Sequence, residues 1–347
     1  MPRYRLFFRT YFCAVLVLIL MTSAGESTAS GYSFDELKSI ISESTDITEL
    51  DIGDTSLTPA ELLEIKEMMP EGSVLHFSAE YSGCAYNENT VEMDLNRGKK
   101  DIKKSELNSL ISLLPDLKKI NVSKQDECGN EMMPELEDAH PDIDFVWKIK
   151  LPYNHSLLTS FTAYSTLRKA ERENRMSEKT LSMIRYANEL RALDLGHNSI
   201  KDISFLEHLP ELRLLILADN SIRDITPLGR LKHLQYCELF MNYFSDLTPL
   251  GNCTELLDLN IAFTNVRSLD GLENCTKLER LWAPRIQNLD ADSIERFKAS
   301  HPDCELTFNS SGSTGYGWRQ HWRYKHYVNL FKTHEWIPFE ESTVPHD

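Results

Sequence analysis

From Leu190 onward the apolar positions of the chain recur every 22 residues. The first copy reads L-R-A-L-D-L-G-H-N-S-I (Leu190 to Ile200) and the second L-R-L-L-I-L-A-D-N-S-I (Leu212 to Ile222). The third is L-Q-Y-C-E-L-F-M-N-Y-F (Leu234 to Phe244) and the fourth L-L-D-L-N-I-A-F-T-N-V (Leu256 to Val266). A weaker fifth, L-E-R-L-W-A-P-R-I-Q-N, starts at Leu278. Within each copy the apolar residues alternate, as Leu193 and Leu195 do, which is the pattern of a short strand with one buried face.

The second half of the unit repeats as well. Asp202-Ile203, Asp224-Ile225 and Asp246-Leu247 fall at equal positions, as do Pro227 and Pro249. D-I-T-P-L and D-L-T-P-L suit a turn into a short 3₁₀ or helical stretch with Pro near its start. Asn198, Asn220 and Asn242 end the strands, where a buried amide can bond the backbone of its own turn and of its neighbour in a ladder. Leu209, Leu231, Cys253 and Cys275 close the far side of the unit. One such unit cannot bury its apolar row alone; stacking makes a continuous core.

This spacing resembles the leucine-rich repeats of the 22-residue bacterial class found in internalins, and more specifically the leucine-rich-repeat proteins exported by gut Firmicutes. The regular resemblance runs from Leu190 to about Leu289. It implies an α/β fold: a leucine-rich-repeat solenoid with a parallel sheet on the concave side, short helices and 3₁₀ turns on the convex side, and recognition of another protein through the sheet face. The sequence shows neither a cell-wall sorting signal nor an immunoglobulin-like inter-repeat region, so the resemblance does not carry host-cell invasion with it.

The flanks read as less regular turns of the same design. Ile47 to Leu57 fits the strand template once, and a helical stretch from Pro59 to Met69 follows. Pro70-Glu71, Pro115-Asp116, Pro141-Asp142 and Pro302-Asp303 each precede a β-rich segment. The expected organisation is a signal segment at 1–24, degenerate repeats at 25–186, regular repeats at 187–289, a cap at 290–308, and a linker with a tail at 309–347. A separate N-terminal α/β domain is the alternative to degenerate repeats. Leu167 to Ser177 is highly charged and reads as a surface loop or helix start.

Strand alternation also selects the side chains that point away from the leucine core. They include Leu214, Ile216, Tyr236, Phe240, Met241, Phe263 and Trp282, which together make a predicted exposed apolar cluster. Large apolar and aromatic groups gathered in water mark a contact site. Glu238 lies toward one end, and Arg280 and Arg285 toward the other. These ten residues are the candidate partner-binding set, for a protein or a glycan.

Arg3, Arg5 and Arg9 precede an apolar run from Tyr11 to Met21, and small residues follow, with cleavage expected after Ala24 or Ala29. The run is short for a spanning helix, so the expected address is secreted or cell-surface, with an uncleaved anchor as the other membrane option. Six cysteines follow this segment. Cys237, Cys253 and Cys275 fall at core positions; if any pair forms a bridge, the residues in polar loops, Cys84 and Cys128, are the pair expected. The net charge of −16 argues against nucleic acid as a partner.

The tail differs in composition. Between Thr314 and Lys332 it carries Arg319, Arg323, Lys325 and Lys332, no acids, and six aromatic residues. Tyr324, Tyr327, Val328 and Phe331 make an i, i+3, i+4, i+7 stripe, hence an amphipathic helix. It either docks on a partner or an anionic surface, or packs back on the acidic repeats and covers the apolar cluster. Residues 309–315 read as a flexible linker. His321 and His326 are poorly spaced for metal ligands on one helix face, and no nucleophile or zinc motif occurs. No catalytic, cofactor or metal role is therefore assigned. The rival functions are an assembly role through the tail, and a hydrolase with an unrecognised site.

Overall fold

The structure, a computed structural model, describes residues 32–43, 47–98, 101–152, 154–166, 176–315 and 317–346, with the backbone of a short antiparallel pair, Arg5–Leu6 with Ile19–Leu20. Most of the expected signal segment, and the charged stretch as far as position 175, lie outside the described residues. The chain forms two compact units, Met1–Lys148 and Ile149–Asp347. No described helix is long and apolar enough to cross a membrane.

The first unit is built from helix–turn–strand pieces. Its elements are α1 (Phe34–Glu43), β1 (Glu49–Thr55), α2 (Pro59–Met68), β2 (Val74–Tyr81), β3 (Cys84–Tyr86), β4 (Glu92–Asp94), α3 (Lys104–Leu113), β5 (Lys119–Asn121), α4 (Met133–Ala139) and β6 (Asp144–Val146). Three prolines separate helix from strand where the sequence places them, between α2 and β2, α3 and β5, and α4 and β6. Proline cannot continue a helix, so each stops within two residues of it. α2 starts on a capping box in which Thr58 and Glu61 satisfy each other's backbone N–H groups. β1 and β2 are parallel and β3 returns antiparallel; β4, β5 and β6 form a second, parallel sheet. Leu62 and Ile65 of α2 and Leu107 and Leu110 of α3 are wholly buried, each contributing about 1.5–3 kcal/mol by leaving water. Cys84 and Cys128, the pair expected to bridge if any did, both carry free thiols.

In the second unit seven strands stack in sequence order, all parallel: β9 (Ala163–Ser165), β10 (Ala192–Asp194), β11 (Leu214–Ile216), β12 (Tyr236–Glu238), β13 (Asp258–Asn260), β14 (Arg280–Trp282) and β15 (Glu305–Thr307). A short strand pair, β7 (Lys148–Lys150) with β8 (Ser156–Leu158), precedes them in the chain. Ala192, Leu214, Tyr236, Asp258 and Arg280 are register partners in turn, so the 22-residue period is the length of one coil. Leu193, Leu215, Cys237, Leu259 and Leu281 have no exposed surface and form one side of the core.

The asparagine ladder is present. Asn220 Nδ2 donates to Leu195 O at 3.0 Å and Leu217 O at 2.9 Å, while its Oδ1 accepts from the N–H groups of Asn198 and Ile200. Asn242 repeats the pattern one coil later. Behind the ladder run 3₁₀ turns at Ser204–His208, Thr226–Arg230 and Thr248–Asn252. Each is fixed by an aspartate two residues before it, since Asp202, Asp224 and Asp246 accept the N–H of Ser204, Thr226 and Thr248. Cys237, Cys253 and Cys275 are fully buried, and the last two point their thiols at the carbonyls of Leu228 and Leu250. Helix α5 (Glu178–Met183) lies between β9 and β10; helix α6 (Ala291–Ser300) and β15 follow the last repeat, β15 pairing with β14.

Candidate functional site

From β10 to β14 the outward face of the sheet is not open to water. The C-terminal segment returns across it and builds a second core there. Ser313 O accepts from Asn260 Nδ2 at 2.8 Å, so the expected flexible linker is tied to β13. Trp318 then inserts with no exposed surface, its ring 5.5 Å from Tyr236 and 6.1 Å from Trp282. Helix α7 (Trp322–Thr333) lays Tyr327, Leu330 and Phe331 on Leu214, Ile216 and Phe240 in one buried cluster. His334 then adopts left-handed backbone, and its carbonyl accepts from the N–H groups of Thr162 and Ala163 at the first edge of the sheet. Phe339 closes the cluster.

Charged groups fasten this core. Glu238 Oε1 accepts three hydrogen bonds, from the Tyr236 hydroxyl at 2.6 Å, the Trp318 indole at 2.9 Å and the Tyr327 hydroxyl at 3.0 Å. Asp258, with no exposed surface, takes Arg280 Nε at 2.5 Å and Arg323 Nη1 at 2.9 Å on its two oxygens. Arg323 also pairs with Glu279, and Arg280 lies 4.5 Å over the Trp318 ring. An aspartate between two arginines, with an aromatic face on one of them, replaces much of the hydration these charges lose. Burial raises the pKa of Glu238 against the pull of its three donors, and raises that of Asp194 against bonds from Gly196 and Ser165. His321 caps α7 by accepting the Arg323 N–H on Nδ1 at 3.3 Å. Burial, then the neighbouring Arg280 and Arg323, push its pKa down to about 4, so the ring is neutral and able to accept.

The expectation of an exposed apolar cluster is therefore corrected for most of its members. Leu214, Ile216, Tyr236, Glu238, Phe240, Arg280 and Trp282 are all buried beneath the tail. They point away from the leucine core as alternation requires, but the chain supplies its own cover for so much apolar surface. Only Met241, Phe263 and Arg285 of the predicted set are exposed, the first two at 43% and 39%. These three share a column with His197 and Asp219, and all five have left-handed backbone, with φ between 53° and 63°. In the first four along the chain that turn aims the N–H at the next coil: Met241 N donates to Ala262 O and Phe263 N to Pro284 O.

The tail helix is rotated from its expected stripe. Its buried face is Arg323, His326, Tyr327, Leu330 and Phe331, while Val328 is exposed. Residue type hid Arg323 and His326, because a basic tail suggests solvent. Yet Asp258, an acid on the predicted sheet face in register with Arg280, was a signal that a cation would be drawn there. His326 Nε2 donates to Ile337 O, since a carbonyl can only accept, leaving Nδ1 to accept from Ser342 Oγ. Among the described residues no group of three or more metal-type side chains gathers.

A family model described as Leucine Rich repeats (2 copies) matches residues 188–230, and the coil geometry of that segment continues through the rest of the seven-stranded sheet. No curated protein matches the chain. Among solved structures it is similar to internalin C2 of Listeria monocytogenes, at 18% identity over 62% of this chain and 80% of that one, TM-score 0.34. It is similar to an internalin (inlF) of the same species, at 16% identity over 80% and 83%, TM-score 0.39. It is also similar to a leucine-rich-repeat protein of Leptospira interrogans, at 16% identity over 76% and 73%, TM-score 0.38.

Proposed function

We propose that the chain is an exported, non-enzymatic recognition protein that binds another protein at the uncovered margin of its sheet. One observation carries this reading: Met241 and Phe263, adjacent in the left-handed column, remain exposed after the tail has covered the apolar residues beside them. Tyr243, 50% exposed, lies two residues beyond Met241 on the same coil, under Arg223 at 5.2 Å. Met and aromatic groups are enriched in the centres of protein interfaces. The His197–Asp219 pair flanks this patch on one side and Arg285 on the other, so charge can orient a partner. An assembly role through the tail's aromatic groups fits less well, because Trp318, Tyr327, Phe331 and Phe339 are committed to the chain's own sheet.

The test is capture from an extracellular protein fraction by wild type and by a Met241→Glu/Phe263→Glu variant, followed by titration with the purified partner. Binding by wild type and at least about tenfold weaker binding by the variant supports the margin as the site. Equal binding by a folded variant overturns it.

A further inference from the structure

The sheet and the tail helix do not close completely over β10 to β12. A pocket of about 180 Å³ remains between them, room for roughly six waters at about 30 Å³ each and so for a molecule the size of one leucine. It exists because the column that holds Phe240 in the third coil holds only Gly196 and Ala218 in the first two.

Its walls are chemically divided. Asp194 and Glu238 line the inner side, 2% and 3% exposed. Neither forms an ion pair with any described residue: Asp194 holds Ser165 Oγ and the Gly196 N–H, and all three donors to Glu238 reach Oε1, leaving Oε2 with no hydrogen-bond partner. Ile216, Phe240 and Phe331 supply apolar wall. Arg319 and Lys332, both exposed, stand at the mouth, and among the described residues neither has a carboxylate partner. A buried carboxylate without a cation is costly, and burial is the first cause of the raised pKa of both acids.

We propose that this pocket binds a free amino acid with an apolar side chain. The ammonium group goes inward to Glu238 Oε2 and Asp194, the side chain lies along Ile216, Phe240 and Phe331, and the carboxylate faces Arg319 and Lys332. The arrangement selects a zwitterion over either single charge: a simple amine leaves the two mouth cations unmatched, and a simple acid meets the two carboxylates. His197 lines this pocket and also flanks the margin, but neither Met241 nor Phe263 contributes to the pocket, so failure of leucine binding and failure of protein recognition at the margin are distinguishable.

The test is isothermal titration of the full chain with L-leucine, 3-methylbutylamine and 4-methylpentanoate. Leucine is expected to bind one to one, the amine at least about tenfold more weakly, and the acid not at all. Ala218→Leu fills the pocket and should abolish binding. Because that change lies in packed surroundings, the exposed pair Arg319→Gln/Lys332→Gln is the second variant, and it should narrow the gap between leucine and the amine. No heat with leucine up to its solubility limit overturns the proposal. So does an acid that binds as well as leucine, or a folded Ala218→Leu chain that binds unchanged.

Discussion

The indole N–H of Trp318 donates to Oε1 of Glu238 at 2.9 Å, joining residues 80 positions apart. The bond lies at the centre of the tail–sheet core, between the Tyr236 and Tyr327 hydroxyls that share the same oxygen. Trp318→Ala removes the ring, takes one of three donors from the buried Glu238 carboxyl and leaves Arg280 without its aromatic face. Loss of a large buried aromatic costs about 3–5 kcal/mol. The expected outcome is release of the tail while the repeats stay folded, measured as rapid tryptic cleavage after Arg319, Arg323 and Lys325 with little change in far-ultraviolet circular dichroism.

The Asn220 amide serves two neighbouring coils at once. Asn220→Ala leaves Leu195 O, Leu217 O and the Asn198 and Ile200 N–H groups short of a partner, at about 1–3 kcal/mol for each that stays dry. Urea unfolding should show a large drop in midpoint. Asn265→Ala, at an exposed amide with a single bond to Tyr243 O, should show a small one.

Left-handed backbone at Met241 constrains which side chains can stand there. With φ at 56°, a β-branched residue is strained and asparagine is not. Met241→Val should unfold at lower urea than Met241→Asn, by about 1–2 kcal/mol, though both remove the same exposed thioether.

Falling and rising pH should weaken the docked tail through different groups. His321 has a folded pKa depressed to about 4. Its contribution is present above its ordinary value of 6.5 and is lost as pH falls from there toward 4. Asp194 and Glu238 have raised folded values, so their contribution is full below their ordinary 3.8 and 4.5 and declines as pH rises through the folded values. His321→Asn, which keeps a capping side chain, should stabilise the chain relative to wild type at about pH 5 more than at about pH 7.5. Equal effects at both pH values would show that the ring does not titrate on unfolding.

The repeats were legible in the sequence because every coil solves the same problem with the same residues: leucines inside, asparagine at the turn, aspartate before the 3₁₀ stretch. Alternation also identified which side chains leave the leucine core, and Tyr236, Phe240 and Trp282 do so. What covers them could not be read from that rule. Periodicity fixes direction, not occupancy, and the partner of β12 lies in a segment with no repeat of its own. Sequence spacing placed the tail helix but misjudged its face, because hydropathy ranks Val328 above Arg323. In the folded chain Asp258 and Glu279 reverse that order by pairing with the guanidinium.

The segment from Trp318 to Phe339 follows every strand of the sheet in the chain. During translation the coils can stack one upon another as they emerge, each using its predecessor as a template. Throughout that interval Tyr236, Phe240 and Trp282 stay wet, and Asp258 and Arg280 have only each other. The nascent array is thus adhesive on one side until its own later residues arrive, and the emerging chain needs shielding, by a chaperone or by speed, for as long as that delay lasts.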